Sequence, residues 1–158
     1  MEYRVKDCRK YSDDFYKKMF DSLSWEQKKK IATLKRREDR MLSILGLTIA
    51  CEMLHCLPSD ITYKKKKPVV QNGHLSVTHK YPYVGVAVSI RPCGIDIETV
   101  RVLDETTIKY LHAANSIDAL IKWTRKEAAY KADESVKCEI RTCIIEKEYV
   151  LSVCERVS

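Results

Sequence analysis

Three β-rich runs separated by very short links constrain the fold of this chain more than any other feature. They cover residues 74–79, 83–90 and 94–100, and the links contain Pro82 and Pro92. A parallel crossover needs a dozen or more residues, so strands joined by links this short are antiparallel neighbours. The middle of the chain is therefore predicted to form a small antiparallel sheet.

Helical patterns flank these runs on both sides. Helices are predicted at about 12–22, from the capping box that begins at Ser24, at about 37–55, and over about 104–132 with a break near 112–116. Further strands are predicted at about 1–8, 136–146 and 149–155. This order indicates an α+β protein in which helices pack against small antiparallel sheets.

The length of 158 residues suits one domain or two small fused halves. We expect an N-terminal half over 1–75 and a C-terminal half over 76–158. An apolar share of 45% and a charged share of 32% are typical of a folded chain. The longest stretch without charge, 41–51, is too short to cross a bilayer, and the seven cysteines follow no disulfide framework. We therefore expect a cytoplasmic protein without a membrane partner.

Positive charge is concentrated in the first half of the chain. The first 80 residues carry 18 basic and 10 acidic side chains, whereas the remaining residues carry 11 and 12. A field of this kind attracts nucleic acid, a membrane surface, a phosphorylated cofactor or an acidic protein, and charge alone does not choose among them. The first half is therefore predicted to bind anions.

Two carboxylates stand on one predicted strand, in the sequence Gly94-Ile95-Asp96-Ile97-Glu98. Alternate side chains of a strand face opposite ways, so Ile95 and Ile97 turn to the core while Asp96 and Glu98 emerge together. Carboxylates without Cys or His nearby suit a hard divalent ion such as Mg²⁺. A solvated strand face is the alternative if nothing else accompanies them.

A second group of residues lies on the last predicted helix, in the sequence W-T-R-K-E-A-A-Y-K-A over 123–132. Trp123, Glu127 and Lys131 share one helix face at i, i+4 and i+8. Taken alone, Glu127 and Lys131 are a surface pair. A tryptophan beside them predicts that this face is packed against the protein.

Together, the two motifs resemble the paired signature of the 4′-phosphopantetheinyl transferases of the surfactin-synthetase-activating type, in order and in spacing. Lys67-Pro68 is similar to the family's K-P turn, 75–79 resembles its strand ending in S-H, and Arg37-Glu38-Asp39 resembles the segment before its cofactor site. Thr78 and Lys80 depart from the family, which commonly has small residues there.

The resemblance implies two pseudo-symmetric α/β halves in a monomer, and transfer of phosphopantetheine from coenzyme A to a serine of an acyl or peptidyl carrier protein. It implies Mg²⁺ held by Asp96, Glu98 and Glu127, with Glu127 also accepting the serine proton and Lys131 reaching the phosphates. Contacts to coenzyme A are then expected from Lys67, Thr78, His79, Lys131, Lys30 and Arg37. The basic surface would suit an acidic carrier protein.

Two other functions are compatible with parts of the sequence. A basic nucleic-acid-binding module would explain the charge and Tyr81 and Tyr83, but exposed carboxylates repel a phosphate backbone. A catalytically silent coenzyme A binder would leave the acidic motif without a purpose. The transferase is the function that uses all the motifs, and it needs no nucleic-acid partner.

Overall fold

The described part of the chain, which in this computed structural model comprises residues 1–64, 67–133 and 137–157, contains five α-helices, two single-turn 3-10 helices at Cys8–Lys10 and Pro58–Asp60, and eight short strands. The helices are α1 Asp13–Ser22, α2 Trp25–Ala32, α3 Arg37–Leu54, α4 Glu105–Tyr110 and α5 Ser116–Asp133. The strands are β1 Glu2–Asp7, β2 Thr62–Lys64, β3 Lys67–Val69, β4 His74–Lys80, β5 Tyr83–Ser89, β6 Cys93–Thr99, β7 Cys138–Ile145 and β8 Tyr149–Arg156. The predicted α+β class with small antiparallel sheets is confirmed.

The strands form three antiparallel sheets. The first has the order β1-β5-β4 and the second has the order β6-β8-β7, while β2 and β3 form a separate hairpin. Strand β1 reaches across the chain to pair with β5, with Glu2 opposite Val88. The chain passes from the first sheet to the second between Ser89 and Cys93.

One element of the structure has no counterpart in the prediction, and three positions of the prediction are outside the described residues. The hairpin of β2 and β3 was not predicted, because strands of three residues that include lysine give almost no periodic signal. The three positions are residues 65 and 66, which precede the K-P turn, and residue 136 of the predicted strand 136–146.

The two larger sheets stack face to face between helices. Val84, Val86 and Val88 of β5 pack with the apolar stripe of α3, which includes Leu42, Leu45 and Ile49. Ala87, on the other face of β5, packs with the inward residues of the second sheet, which are Cys93, Ile95, Ile97, Tyr149, Leu151 and Val153. Helix α5 covers the outer face of the second sheet through Ala128 and Ala132.

None of the helices in the described ranges combines the length and the apolar character that crossing a bilayer requires.

Candidate functional site

Strand β6 turns Asp96 and Glu98 to the same side, as the alternation of its residues predicts. Ile95 and Ile97 on the opposite side are buried. Asp96 is only 7% exposed, although it faces away from these two residues. Helix α5 and strand β4 enclose it, because both carry side chains that bond to it.

Helix α5 approaches β6 most closely at Gly94. A Cβ added there would lie 1.9 Å from the carbonyl oxygen of Ala128, a distance that no side chain could occupy. Ala128 and Ala132 extend the contact with small, fully buried side chains. The absence of bulk at these positions lets α5 lie directly on the strand, and this brings Lys131 to Asp96.

A row of buried hydroxyl groups fixes the same helix to the second sheet. Thr124 of α5 and Ser152 of β8 are both inaccessible to solvent, and their oxygens are 2.8 Å apart. Ser152 also lies 2.9 Å from the hydroxyl of Thr142 on β7. Since Ser152 is the cross-strand partner of Asp96, this network supports the strand face that carries the carboxylate.

The Asp96 carboxylate accepts two hydrogen bonds on the same oxygen. Lys131 Nζ donates to Oδ1 at 2.7 Å and also to the carbonyl oxygen of Ile95 at 3.0 Å. The Thr78 hydroxyl donates to Oδ1 at 3.2 Å. Burial raises the pKa of Asp96 above its ordinary value, and the bonds from Lys131 and Thr78 oppose that rise without cancelling it.

The Glu98 carboxylate is bound by two cations, whereas Asp96 is bound by one. Lys80 Nζ lies 2.7 Å from Oε2, and Arg101 Nη1 donates to the same oxygen at 2.8 Å. Arg101 also donates to the carbonyl oxygen of Thr99 at 3.1 Å. Burial raises the pKa of Glu98, but the hydrogen bonds from Lys80 and Arg101 outweigh burial, so the pKa lies below its ordinary value.

Helix α5 carries Glu127 one turn before Lys131. Glu127 is half-buried, and in the described ranges its carboxylate has neither a hydrogen bond nor an ion pair. Trp123 is 37% exposed, so the prediction that it is packed against the protein is wrong. The helix turns Thr124 and Ala128 to the second sheet instead. The role of Glu127 as metal ligand and proton acceptor stays a prediction.

The carboxylate oxygens of Asp96 and Glu98 are of the ligand type that Mg²⁺ prefers. Among the residues that the structure describes, no group of three or more His, Cys, Asp or Glu side chains is arranged to hold a metal. The oxygens of Asp96 and Glu98 are bound by cations of the chain itself. The expected binding of Mg²⁺ by Asp96, Glu98 and Glu127 stays a prediction.

A cleft of about 200 Å³ lies on the other face of strand β4. His79 lines it, together with residues of α2, the loop after α2, α3, the β2–β3 hairpin and β4, namely Lys30, Ile31, Leu34, Ser43, Leu47, Tyr63, Pro68 and Val77. The ammonium of Lys30 lies 3.5 Å from the centre of the Tyr63 ring, a cation–π contact. The cleft is therefore mainly apolar, with one cation and one imidazole.

His79 is an exposed residue of β4 that lines the cleft, and Gly46 of helix α3 lies beside its imidazole. Gly46 makes this contact possible, because a Cβ there would lie 3.3 Å from Nε2. The surrounding protein removes water from the ring and lowers the pKa of His79 to about 4, and the charges of Lys131 and Lys30 reinforce the shift. At neutral pH, His79 is therefore uncharged.

The other predicted coenzyme A contacts lie in different places. Lys67 lies 4.6 Å from the ring centre of Tyr130 on α5 and donates to its carbonyl oxygen at 3.5 Å, while Pro68 rather than Lys67 lines the cleft. Arg37 is exposed at the start of α3 and pairs with Asp13. Of the predicted cations, Lys30 is the one that shares the cleft with His79.

Four contacts at these two regions were missed by sequence analysis. They involve Lys80, Arg101, Tyr63 and Tyr130. The alternation of β4 does contain a signal for Lys80, because it puts residues 76, 78 and 80 on one side. The sequence has no comparable signal for the others, whose positions depend on how separate elements meet.

Comparison of the chain with models of known protein families finds no match, and comparison with curated proteins finds none either.

Proposed function

We propose that the chain transfers 4′-phosphopantetheine from coenzyme A to a serine of an acyl or peptidyl carrier protein, with release of 3′,5′-ADP. The observation that carries the proposal is the 2.7 Å bond between Lys131 of α5 and Asp96 of β6. These residues belong to two motifs that resemble the family's signature separately, and they meet in space. The proposal includes the family's fold, with two pseudo-symmetric halves in a monomer.

In the proposed reaction, the serine oxygen bonds to the phosphorus that carries pantetheine, and the bond from that phosphorus to the bridging oxygen breaks. Asp96, Glu98 and Glu127 would hold Mg²⁺, which would supply positive charge to neutralise the diphosphate. Glu127 accepts the serine proton, directly or through water, because its carboxylate has no competing partner in the described ranges. Lys131 holds the leaving phosphate as a point charge.

The adenosine end of coenzyme A is assigned to the first half of the chain. A neutral His79 offers one donor and one acceptor to a phosphate or a sugar hydroxyl, and Lys30 and Lys67 offer charge. Thr78 and Arg37 complete the proposed contacts. The excess of basic residues in this half favours the approach of an acidic carrier protein by electrostatic steering.

The proposal is tested by incubating the protein with Mg²⁺, coenzyme A and a panel of apo carrier proteins, and by weighing the carriers with mass spectrometry. At least one carrier should gain the mass of phosphopantetheine. Glu127→Gln should slow this transfer by about a hundredfold or more without lowering the melting temperature. Asp118→Asn is the matched control, because Asp118 forms a surface pair with Lys122 on the same helix at 3.1 Å.

The assay uses protein and coenzyme A concentrations at which binding of coenzyme A is measurable. If no carrier gains mass under these conditions, the protein binds coenzyme A but is not a transferase. A Glu127→Gln protein that melts early but keeps its specific activity would show that Glu127 supports the helix and takes no part in the reaction.

A further inference from the structure

Helix α3 ends in a turn that brings two cysteines together. His55 has the left-handed conformation, with φ 50° and ψ 43°, and the chain reverses its direction there. The backbone N–H of His55 and that of Cys56 both donate to the carbonyl oxygen of Cys51, the second of them at 3.1 Å. At a helix end of this kind, the first and last residues of the turn have their side chains in contact. This contact is commonly made by apolar side chains, but here two thiols make it.

The two thiols differ in how readily they ionise. Both side chains are partly buried against the core under α3, and the thiols are hydrogen-bonded to each other. Burial raises the pKa of Cys51 to about 12, and the charge and hydrogen bond of Cys56 act in the same direction. Burial also raises the pKa of Cys56, but there the hydrogen bond with Cys51 opposes the rise. The thiolate is therefore favoured at Cys56 over Cys51.

Cys56 is also the cysteine that a small molecule can reach. It lines a cavity of about 460 Å³ between the end of α3, the turn at Pro58–Asp60 and the β2–β3 hairpin. Polar side chains form much of the remaining wall, namely Ser59, Asp60, Thr62, Gln71 and Asn72. A polar molecule in this cavity meets the sulfur of Cys56, and Cys51 is in contact with that same sulfur.

We propose that Cys51 and Cys56 form a dithiol site for exchange with low-molecular-weight disulfides, in which Cys56 attacks and Cys51 resolves. The site goes beyond the proposed function, which uses neither cysteine. The Cys56 thiolate bonds to one sulfur of the oxidant, whose S–S bond breaks and releases a first thiolate. The Cys51 thiolate then bonds to Sγ of Cys56 and releases the second. The cysteines are oxidised to a disulfide across the end of α3, and the oxidant is reduced to two thiols that take up the two protons.

The test is incubation of the reduced protein with excess oxidised glutathione, followed by alkylation of the remaining thiols, tryptic digestion and mass spectrometry. The tryptic peptide 41–64 contains Cys51 and Cys56 and no other cysteine. We expect this peptide to lose the mass of two hydrogen atoms and to resist alkylation, and we expect dithiothreitol to reverse both changes. Cys143 is exposed and has Leu151 as its cross-strand partner, so it should stop at the glutathione adduct.

Cys138 and Cys154 provide a matched control within the same chain. Their thiols are also hydrogen-bonded to each other, but Cys154 is fully buried. The register of β7 and β8 puts Cys138 opposite Arg156 and Cys154 opposite Ile140, so the two cysteines are diagonal neighbours. Diagonal neighbours have Cα atoms about 7–8 Å apart, which is too far for a disulfide without movement of the backbone. This pair should stay reduced under the same conditions.

Single variants test the two assigned roles. Cys51→Ser should accumulate glutathione on Cys56, whereas Cys56→Ser should take up about tenfold less on Cys51. Equal adducts in the two variants would overturn the roles. The proposal is also overturned if Cys51 and Cys56 stay free while Cys143 is modified, if the wild type stops at a glutathione adduct, or if Cys138 and Cys154 are oxidised equally fast. Circular dichroism verifies that each variant is folded, and none of these outcomes depends on transfer to a carrier protein.

Discussion

The two faces of strand β4 border two regions, the carboxylate region at β6 and the cleft at α3, and the charge of the ionisable side chains differs between them. On the side of β6, Thr78 and Lys80 take part in a network in which Asp96 and Glu98 are each bound by a cation. On the side of α3, the protein around the ring disfavours the charged form of His79 and lowers its pKa. One strand with period-two alternation thus separates a region of fixed ion pairs from a mainly apolar cleft.

This difference predicts how each region responds to substitution of its side chains. A buried charge that loses its partner is strongly destabilised, so the Asp96 region depends on all its members being present. The cleft has a neutral imidazole and apolar walls, and its side chains can be altered singly at smaller cost. We therefore expect substitutions at the carboxylates to stop the reaction, and substitutions in the cleft to alter binding.

The largest expected effect is that of Asp96→Asn. It keeps the shape of the side chain but removes the charge that binds Lys131, and we expect transfer to fall at least about a hundredfold. His79→Gln should leave kcat nearly unchanged. Rates are measured by mass spectrometry of the carrier at saturating coenzyme A. Turnover of Asp96→Asn close to that of the wild type would remove the distinction between the two regions.

The next effect concerns stability and compares one glycine from each region. Gly94→Ala puts a methyl group 1.9 Å from the Ala128 carbonyl oxygen, so helix α5 must move, and the free energy of unfolding should fall by about 3 kcal/mol or more. Gly46→Ala meets side chains at 3.2 to 3.3 Å, and a gain in helix propensity offsets this strain, for a net change within about 1 kcal/mol.

Urea unfolding of the two alanine variants measures these changes. If the two substitutions were equally mild, α5 would not be fixed by its contact with β6, and the position of Lys131 would need another explanation. If they were equally severe, the cleft would be as rigid as the carboxylate region.

The faces of individual elements were predictable because periodicity is a local property. The alternation of 94–98 was sufficient to put Asp96 and Glu98 on one side of β6, and the spacing of 123–131 was sufficient to put Glu127 and Lys131 on one side of α5. The break of the last helical region near 112–116 was also visible, and the structure has α4 and α5 on either side of it.

The partners across elements were not predictable from the same patterns. The pair of Lys80 with Glu98 depends on the register between β4 and β6, which belong to different sheets. The exposure of Trp123 depends on the rotation of α5, which Gly94 and the hydroxyl of Thr124 determine through contacts distant in sequence. Neither contact can be predicted from the hydrophobic periodicity or the helix and strand propensities of the sequence, because both describe single elements.

A smaller effect is expected for binding of coenzyme A by the cleft. Lys30→Met and His79→Gln should each raise KM for coenzyme A by about tenfold with kcat little changed, because a contact far from the breaking bond is felt equally before and during reaction. Dephospho-coenzyme A, which lacks the 3′-phosphate, is the control substrate. If these residues bind the 3′-phosphate, the preference for coenzyme A over its dephospho form should shrink in both variants.

A preference that is undiminished in both variants would exclude the cleft as the 3′-phosphate site. Lys67→Met would then be the informative variant, since Lys67 lies over Tyr130 on α5 and outside the cleft. Loss of the preference in that protein would move the 3′-phosphate to the α5 side of the molecule.

The smallest effect is a pH dependence of stability that belongs to His79. Its pKa is about 4 in the folded protein and near 6.5 in the unfolded chain, so between these values the unfolded chain binds more protons. The contribution of a neutral His79 is therefore fully present above about pH 6.5 and is lost as the pH falls towards 4. In urea unfolding at pH 7 and pH 4.5, His79→Gln should lose less stability than the wild type on acidification. Because one side of the ring stays open to water, the difference is expected to be modest, and equal losses in both proteins would mean that the imidazole is as well solvated in the cleft as in the unfolded chain.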